Sequence, residues 1–504
     1  KGKKKLVVSK MKQLSLSPSG CQTRTRHLVA TNKDRFAFAS TLAVYVYKLE
    51  DYTVDKILVG GDKSISGMFW LRQSDRIGVA HVDGSIEFWD LKDQAIIQKF
   101  QLTAHLVMFE NNPVNDNEVA FAYTNGEIKT LDVTTGKITR LAVYGDRNVT
   151  VIRWHPNDAS KLAIGCQDSN LIILDPLKNK SIKLPGKSRV AVKELQWDPK
   201  STNYILVSYQ DGSMSLFDID SQTEVQNYER QGAGIKSIAW SQTIPGGFFT
   251  ATDKIAALKV WSVATKGPVG TYKVGSAGIV NMLGFTDPEY NDKMVAIFKD
   301  GTVGVMNLNS NRLEFKTESG HSETVFDIEF NPANKDVFAT VAYDGTLKLW
   351  KVNDMSNIVT LYTKAGNLGQ ASMTQTEDAE ALYGLSWAPD GGRIAAVSIK
   401  GDLIIWDTNK HKLLSRLNPG LKTPIHRVQW NQKDARYILS GGTDGNCYIF
   451  QVSASESELS LYKKLSHPSA VYGTCWHPVN KEVFATACQD GLIRIFDMVT
   501  PNAK

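Results

Sequence analysis

Three polar side chains, His81, Asp83 and Ser85, stand close together and are of the types that build a nucleophilic catalytic triad. A hydrolase would place its serine in a GxSxG nucleophile elbow, and the sequence contains no such motif. Asp83 also precedes Gly84, and Asp-Gly is typical of a tight hairpin turn. We therefore predict that these residues shape a turn and carry out no chemistry.

Metal, redox and cofactor chemistry lack their usual motifs as well. None of the 9 histidines forms HExxH, and the 5 cysteines form no CxxC pair. A GxxxxGK[ST] phosphate loop is also missing from the sequence. The odd, scattered cysteines argue against a disulfide framework and favour a reducing compartment. We expect no catalytic residue, no metal ligand and no cofactor, and hence a protein that is not an enzyme.

The elements that carry these residues follow one repeated pattern. "GHSETVFDIEFNPANKDVFATVAYDGTLKLWK" (320–351) has two alternating apolar runs around a polar turn, then Asp-Gly, then a third run. Such alternation predicts half-buried strands. Related stretches include "AVKELQWDPKSTNYILVSYQDGSMSLFD" (191–218) and "AVYGTCWHPVNKEVFATACQDGLIRIFD" (470–497). The Asp-Gly pairs predict type I′ hairpin turns, in which both central residues have positive φ.

An aromatic residue closes the first strand of each repeat after the first. These closing aromatics recur roughly every 45 residues, with one longer interval, and are Trp70, Phe109, Trp154, Trp197, Trp240, Phe285, Phe330, Trp387, Trp430 and Trp476. A period of about 40–45 residues with four strands is typical of β-propeller blades. The sequence therefore predicts an all-β fold of tandem propellers.

The sequence contains eleven such repeats, the first of them irregular (27–60). Propellers of this type most often use seven blades, so we predict a first propeller over residues 27–318 and four blades of a second over 319–504. Four blades should not close a ring. We expect either that the native chain continues past Lys504 or that another chain covers the open edge.

Two further segments lie outside the blades. Residues 1–26 form a basic tail, whose start "KGKKKLVVSKMK" accounts for the formal net charge of +6, and this tail is able to contact an acidic partner. The stretch "KAGNLGQASMTQTEDAE" (364–380) predicts a flexible loop. Charges elsewhere are balanced, so we expect no nucleic-acid binding, and no apolar run is long enough for a membrane helix.

A rim of the second propeller is the candidate partner-binding site. The residue four positions before each closing aromatic should lie where the inner strand starts, at one rim of the central channel. In repeats four to seven these residues are Thr150, Lys193, Lys236 and Asn281, whereas in repeats eight to eleven they are Phe326, Tyr383, His426 and Tyr472. Tyr343 and Gln489 should join this rim from turns. Exposed aromatics favour partner binding, although the rings could instead fill the channel.

Four segments carry a resemblance to a known family: "GCQ" with "DRFAFASTLAVYVYKLED" (20–51), the 320–350 stretch, "LYGLSWAPDGG" (382–392) and "HPSAVYGTCWHPVNKEVFATACQDG" (467–491). The chain resembles the WD40-repeat β-propeller superfamily, and within it the family of WD-repeat-containing protein seventeen. The resemblance implies two seven-bladed propellers with more chain to follow. It also implies a structural tetrad of His321, Thr340, Asp344 and Trp350, linked by hydrogen bonds.

The function is predicted from two features: propeller rims offer large surfaces for partners, and the sequence lacks catalytic, metal-binding and cofactor motifs. We expect a non-catalytic interaction scaffold within a multi-subunit protein complex of the cytoplasm, of cilium, axoneme or cytoskeleton, as the resemblance implies. A coat or intraflagellar-transport-like trafficking subunit and a substrate receptor of a ubiquitin ligase are the alternatives. These last assignments are analogies at the level of the fold.

Overall fold

A computed structural model describes residues 19–498, apart from 24–26, 72, 103–105, 146–147, 187–189, 202, 233, 276, 286, 318–319, 364–379 and 454–457. The predicted basic tail therefore lies almost wholly outside the described residues, as does the predicted loop up to residue 379. The chain divides into two compact units, one of them Gly20–Thr317 (the first unit). The described core of the other (the second unit) is residues 320–498.

The first unit consists of seven four-stranded antiparallel sheets, each a simple meander. Their strands are β1 Val29–Asn32, β2 Arg35–Ala39, β3 Ala43–Lys48, β4 Val54–Val59; β5 Ile65–Leu71, β6 Arg76–His81, β7 Ser85–Asp90, β8 Ala95–Gln101; β9 Leu106–Asn111, β10 Glu118–Tyr123, β11 Glu127–Asp132, β12 Ile138–Val143; β13 Val149–His155, β14 Asp158–Cys166, β15 Leu171–Asp175, β16 Lys180–Leu184; β17 Val192–Trp197, β18 Tyr204–Tyr209, β19 Met214–Asp218, β20 Thr223–Tyr228; β21 Ser237–Trp240, β22 Gly247–Ala251, β23 Ala257–Ser262, β24 Gly270–Lys273; β25 Ile279–Gly284, β26 Lys293–Phe298, β27 Val303–Asn307 and β28 Arg312–Lys316. One short 3-10 helix, Pro288–Tyr290, precedes β26.

The second unit contains four further sheets, of which the last has three described strands. These strands are β29 Val325–Phe330, β30 Val337–Ala342, β31 Thr346–Lys351, β32 Asn357–Tyr362; β33 Leu382–Trp387, β34 Arg393–Ser398, β35 Leu403–Asp407, β36 Lys412–Leu417; β37 Ile425–Trp430, β38 Tyr437–Gly442, β39 Asn446–Val452, β40 Leu459–Ser466; β41 Val471–Trp476, β42 Val483–Cys488 and β43 Ile493–Asp497. The predicted all-β class with blade-like sheets is confirmed. No helix in the described part of the chain has the length and apolar character needed to span a bilayer.

In each four-stranded sheet the two middle strands are more buried than the outermost strand. In the second sheet, β6 is buried at five of six positions, whereas β8 has no buried residue. The middle strands are covered on both faces because neighbouring sheets pack against them, which is why they read as almost continuous apolar runs. Tryptophans fill the spaces between sheets, and Trp261, Trp387, Trp406 and Trp430 are among the largest fully buried side chains.

The first unit closes on itself through its first and seventh sheets. Val295, Ile297 and Val303 of the seventh sheet belong to one apolar cluster with β1–β3. Thr31 Oγ1 donates to the Gly284 carbonyl at 3.0 Å, and the Cys21 amide donates to the Gly301 carbonyl at 2.7 Å. These contacts join the two ends of the unit directly.

The Asp-Gly turns differ from the predicted type I′ geometry. In Asp344-Gly345 only the glycine has positive φ, of 76°. The Gly345 amide donates to the Ala342 carbonyl at 3.2 Å, which makes Tyr343 and Asp344 the central residues of a type I turn. Gly345 follows in the left-handed region, where a residue without Cβ is favoured. The prediction of type I′ turns is therefore wrong, because the loop has three residues and not two.

Candidate protein-interaction site

A β-bulge in the first strand of every second-unit sheet creates the candidate site. In β29, Val325 pairs with Ala342 and Asp327 pairs with Val341, so Phe326 is an extra residue without a partner in the ladder. The same irregularity leaves Tyr383, His426 and Tyr472 as the extra residues of β33, β37 and β41. Because a bulge redirects its side chain, four successive aromatic rings leave their sheets at equivalent points.

These rings form a continuous row, called here the aromatic row: Tyr343, Phe326, Tyr383, His426 and Tyr472. Ring centroids lie 6.2 Å apart for Tyr343 and Phe326, and 4.7 Å apart for Phe326 and Tyr383. The spacing continues at 5.0 Å from Tyr383 to His426 and at 5.6 Å from His426 to Tyr472. Such separations are those of interacting aromatic pairs, so the row is held in place by its own contacts.

The row is open to solvent at both ends and in between. Tyr343 is 37% exposed, Phe326 43% and Tyr472 51%, whereas Tyr383 and His426 are half-buried. Gln489, the sixth predicted rim residue, is exposed in the turn before β43 and accepts a hydrogen bond from Ser469 Oγ at 2.9 Å. The arrangement is a rigid apolar strip, which is the kind of surface that forms interface hot spots.

The row carries little charge at neutral pH. Desolvation by the flanking rings lowers the pKa of His426, so its imidazole is neutral at pH 7. The nearest ion pair, between Arg427 and Asp327, has its charged atoms 3.6 Å apart and belongs to the residues that follow His426 and Phe326. Asp327 also accepts the Leu385 amide at 3.1 Å, which ties the first two sheets of the unit together below the row.

The equivalent positions of the fourth and sixth sheets in the first unit are polar, and their side chains already have partners. Thr150 Oγ1 donates to the Val192 carbonyl at 2.7 Å, and Lys236 Nζ lies 3.1 Å from Asp253. In the seventh sheet the bulge residue is Val280, because Ile279 and Asn281 are the paired residues on either side. The prediction took the residue four positions before the closing aromatic, which is Asn281, but in this sheet the bulge lies one residue earlier. Only the second unit presents successive aromatics at its bulges among the described residues.

The predicted tetrad residues form one chain of hydrogen bonds. Trp350 Nε1 donates to Thr340 Oγ1 at 2.7 Å, and Thr340 Oγ1 lies 2.6 Å from His321 Nε2. His321 Nδ1 lies 2.9 Å from Asp344 Oδ2. Thr346 adds a contact of 2.6 Å from its hydroxyl to the other oxygen of Asp344. All five side chains are buried, so the chain supplies the partners that a buried carboxylate needs.

The donors of this chain determine the protonation state of the histidine. The Asp344 carboxylate can only accept, so His321 Nδ1 must donate to it, and the lowered pKa of His321 leaves Nε2 of the neutral ring to accept from the Thr340 hydroxyl. His321 therefore carries its proton on Nδ1 and donates it to Asp344, as a neutral imidazole. Burial lowers the pKa of His321 against the opposing pull of Asp344. Burial raises the pKa of Asp344, but the contacts with His321 and Thr346 outweigh it and hold the value at about 2.

The last sheet breaks this pattern. His467 Nε2 lies 2.9 Å from Thr486 Oγ1, as in the tetrad, but Phe496 offers no donor in place of the tryptophan. Asp490 pairs with Arg494 at 2.6 Å, and His467 Nδ1 lies 3.2 Å from the Leu465 carbonyl. The hydrogen bonds from Arg494 lower the pKa of Asp490. An arginine four residues away has replaced the histidine as partner of the turn aspartate.

His81, Asp83 and Ser85 make structural hydrogen bonds around the turn at residue 83. Asp83 Oδ1 accepts from both the amide and the hydroxyl of Ser85, at 2.9 and 2.7 Å. His81 is directed elsewhere, with Nδ1 3.0 Å from the Lys63 carbonyl and Nε2 3.3 Å from Glu87. The three do not form a triad. The described residues contain no group of three or more His, Cys, Asp or Glu side chains placed to hold a metal ion.

Sequence reasoning missed a charged cluster between inner strands of the first unit. Arg153 contacts Glu110 at 2.9 Å and Glu194 at 2.7 Å, and all three side chains are largely shielded from solvent. The available signal was the position of Arg153 directly before a closing aromatic and of Glu110 directly after one. A single charged residue in an inner strand also fits a solvated position, so the sequence did not single out this cluster.

Two family models match parts of the chain. The model described as "Anaphase-promoting complex subunit 4 WD40 domain" matches residues 162–243. The model described as "WD domain, G-beta repeat" matches residues 313–351 and 459–497, which include the four tetrad residues and the last sheet. The repeats are thus WD40 repeats, and the predicted superfamily is confirmed. The narrower resemblance to the family of WD-repeat-containing protein seventeen stays a prediction.

Several known proteins share part of this sequence. WD repeat and HMG-box DNA-binding protein 1 of Xenopus laevis is 23% identical over 196 residues, 38% of this chain and 16% of the relative. Coronin-7 of Bos taurus is 30% identical over 159 residues, 31% of this chain and 15% of the relative. F-box-like/WD repeat-containing protein TBL1X of Mus musculus is 27% identical over 176 residues, 35% of this chain and 32% of the relative. The matched stretches span a third or less of each relative.

Proposed function

We propose that this WD40-repeat protein is a non-catalytic protein-interaction scaffold, and that the aromatic row of its second unit binds a partner protein. The observation that supports the proposal is the row itself: four bulge residues of four successive sheets are aromatic, and their centroids lie 4.7 to 5.6 Å apart. Rings fixed in this way lose little conformational entropy on binding, so most of their contact area contributes to affinity.

The partner that suits this strip is an extended segment with apolar side chains. The row is neutral at pH 7, so a strongly charged ligand would gain no ion pair from the rings while losing hydration. Arg427 and Asp327 flank the row with opposite charges, and polar groups of a peptide backbone could bond to them. A central apolar strip with a polar border is the usual anatomy of a protein interface.

Replacing Phe326, Tyr383 and Tyr472 together by alanine tests the proposal. The bulge residues take no part in the strand ladder, so we expect an intact fold and a loss of at least ten-fold in partner capture, since hot-spot aromatics typically contribute about 2 kcal/mol or more each. Affinity capture with quantitative mass spectrometry would compare the variant with wild type. Tyr462→Ala is the matched control, because Tyr462 is 42% exposed in the same unit but lies on the outer strand β40.

Two results would overturn the proposal. Equal capture of all proteins by wild type and the triple variant would show that the row binds none of them. A large fall in thermal stability of the triple variant, with Tyr462→Ala unaffected, would show instead that the rings fill the channel as structural packing.

We also propose that the assembly is ciliary, axonemal or cytoskeletal, on the support of the resemblance described above. Detergent extraction of cells should then leave the protein with the insoluble axoneme or cytoskeleton. Complete release into the detergent-soluble fraction would contradict this assignment.

A substrate receptor of a ubiquitin ligase is the second candidate. It is favoured by the match of residues 162–243 to a domain named for a subunit of the anaphase-promoting complex, and by the F-box-like name of one relative. In that case depletion of the protein should raise the level of a bound protein, and proteasome inhibition should remove the difference. A bound protein whose level never changes would argue for the scaffold.

A further inference from the structure

A groove of about 510 Å³ lies at the rim of the first unit, across its third, fourth and fifth sheets. Its lining includes Thr124 of the turn after β10, Gln167 of the turn after β14 and Gln210 of the turn after β18. The volume is within the roughly 300–1,000 Å³ of ligand pockets. The groove therefore has room for a short segment of a partner but not for a folded domain.

Two strand bulges contribute to this groove. Thr150 is the extra residue of β13, and Lys193 is the extra residue of β17. Thr150 Oγ1 donates to the Val192 carbonyl at 2.7 Å, which joins the fourth and fifth sheets beside the groove. Val149 and Val192 are buried and give the lining an apolar part. The aromatic row occupies the equivalent bulges of the second unit, so the groove stands where that unit carries its rings.

The turns supply two side-chain amides to the groove. Asn148 Nδ2 donates to Gln167 Oε1 at 3.1 Å, which holds the Gln167 side chain in place and leaves its Nε2 without a partner among the described residues. Gln210 is exposed, and its side chain likewise bonds to no other residue in the described part of the chain. Each amide nitrogen carries two N–H donors. An occupant that accepts hydrogen bonds would therefore find donors from two turns.

Charge narrows the choice of occupant. Lys193 is the only residue with a full charge among the described residues that line the groove. The aspartates of the two turns, Asp168 and Asp211, do not line it and accept hydrogen bonds within their own turns. A cation would meet the charge of Lys193 and find no carboxylate in the lining. A carboxylate accepts hydrogen bonds only, and its bonds with an ammonium group are stronger than those between neutral groups.

We propose that this groove binds an extended acidic segment of a partner protein, with one glutamate or aspartate carboxylate held by the Lys193 ammonium and the amides of Gln167 and Gln210. An extended segment suits the groove because its lining comes from three successive sheets along the rim. The buried valines suit the aliphatic carbons of the acidic side chain. The site is independent of the aromatic row, which belongs to the second unit and takes apolar side chains.

Fluorine NMR of a labelled peptide with the whole chain tests the site. The probe is CF3CO-Ala-Val-Glu-Val-Ala-NH2, and its two counterparts carry glutamine or lysine in place of the glutamate. The ¹⁹F line of a small peptide broadens when it binds a protein of this size. We expect saturable broadening of the glutamate peptide, at least five-fold weaker binding of the glutamine peptide and no broadening of the lysine peptide.

Two lysine variants separate the groove from the general charge of the protein. Lys193→Met keeps most of the aliphatic side chain and removes the ammonium, so affinity for the glutamate peptide should fall about ten-fold. Lys183→Met is the matched control, because Lys183 is exposed on the outer strand β16 of the same unit. Its affinity should stay within two-fold of wild type. Phe326→Ala in the aromatic row should change nothing, which separates this site from the proposed function.

Four results would overturn the inference. The glutamate peptide produces no broadening, or the glutamate and glutamine peptides bind equally. Lys183→Met loses as much affinity as Lys193→Met, which would make the attraction one of net charge. Sodium acetate at the concentration of the peptide displaces it, which would show that the groove takes a small anion and not a segment. If Lys193→Met fails to fold, the comparison of the three peptides on wild type still decides.

Discussion

Replacing Thr340 by valine removes a single hydroxyl from the centre of the tetrad. That hydroxyl accepts from Trp350 Nε1 at 2.7 Å and lies 2.6 Å from His321 Nε2. Valine has nearly the same shape, so packing is retained while one buried donor and one buried acceptor lose their partner. Each unsatisfied group costs about 1–3 kcal/mol. The two groups together cost about 2–6 kcal/mol. We therefore expect the free energy of opening of the sheet β29–β32 to fall by at least about 2 kcal/mol, which raises its opening equilibrium constant at least about 30-fold.

Hydrogen exchange measured by mass spectrometry suits this test, because it reports the opening of each sheet separately in a chain of two compact units. Peptides covering β29–β31 should exchange faster in Thr340→Val by the factor above, while peptides of the first unit stay unchanged. Thr474→Val is the matched control: Thr474 is buried in the same unit, and its hydroxyl has no hydrogen-bond partner among the described residues. Protection within about three-fold of wild type, or an equal loss in Thr474→Val, would refute the reasoning.

Other consequences can be measured separately. If the aromatic row binds an apolar partner, affinity should weaken as pH falls from 6.5 through the lowered pKa of His426, because protonation of the imidazole places a charge in the row. Binding by His426→Phe should not vary over this range, and parallel pH curves for both proteins would exclude His426 as the cause. The contribution of His321 to the free energy of unfolding should be complete above pH 6.5, the unfolded pKa of histidine, and should decrease as pH falls towards the lowered pKa of His321 in the folded unit. Urea unfolding of His321→Gln should not show this decrease. Arg153→Met removes the cation shared by half-buried Glu110 and buried Glu194, and should destabilise the first unit by about 3 kcal/mol. Glu194→Gln added to it should restore part of the loss, and a neutral effect of Arg153→Met in thermal unfolding would contradict this ion cluster.

The blades could be predicted from the sequence because two periodic signals agree. Alternating apolar residues specify strands, and the closing aromatics place them in units of about 45 residues. Trp197 and Trp240 show why the second signal is strong: each indole bonds to the backbone of the preceding sheet, so a large aromatic residue recurs at this point of the repeat.

Features that depend on local competition were not predictable. Asp490 has a histidine and a threonine at the expected positions, yet Arg494 of the following strand β43 binds its carboxylate at 2.6 Å. The Asp344-Gly345 turn has one positive φ and not two, since Tyr343 enters the loop. The position of the bulge in β25 shifts the rim residue from Asn281 to Val280.

The bulge residues of the inner strands allow the aromatic row to change in evolution without a change in the sheets. Phe326, Tyr383, His426 and Tyr472 satisfy no register partner. A substitution at one of them alters what the rim recognises while the ladder beside it keeps every hydrogen bond. Binding specificity can therefore change through one side chain at a time. Substitutions at these four positions could redirect recognition in a designed variant without altering the sheets.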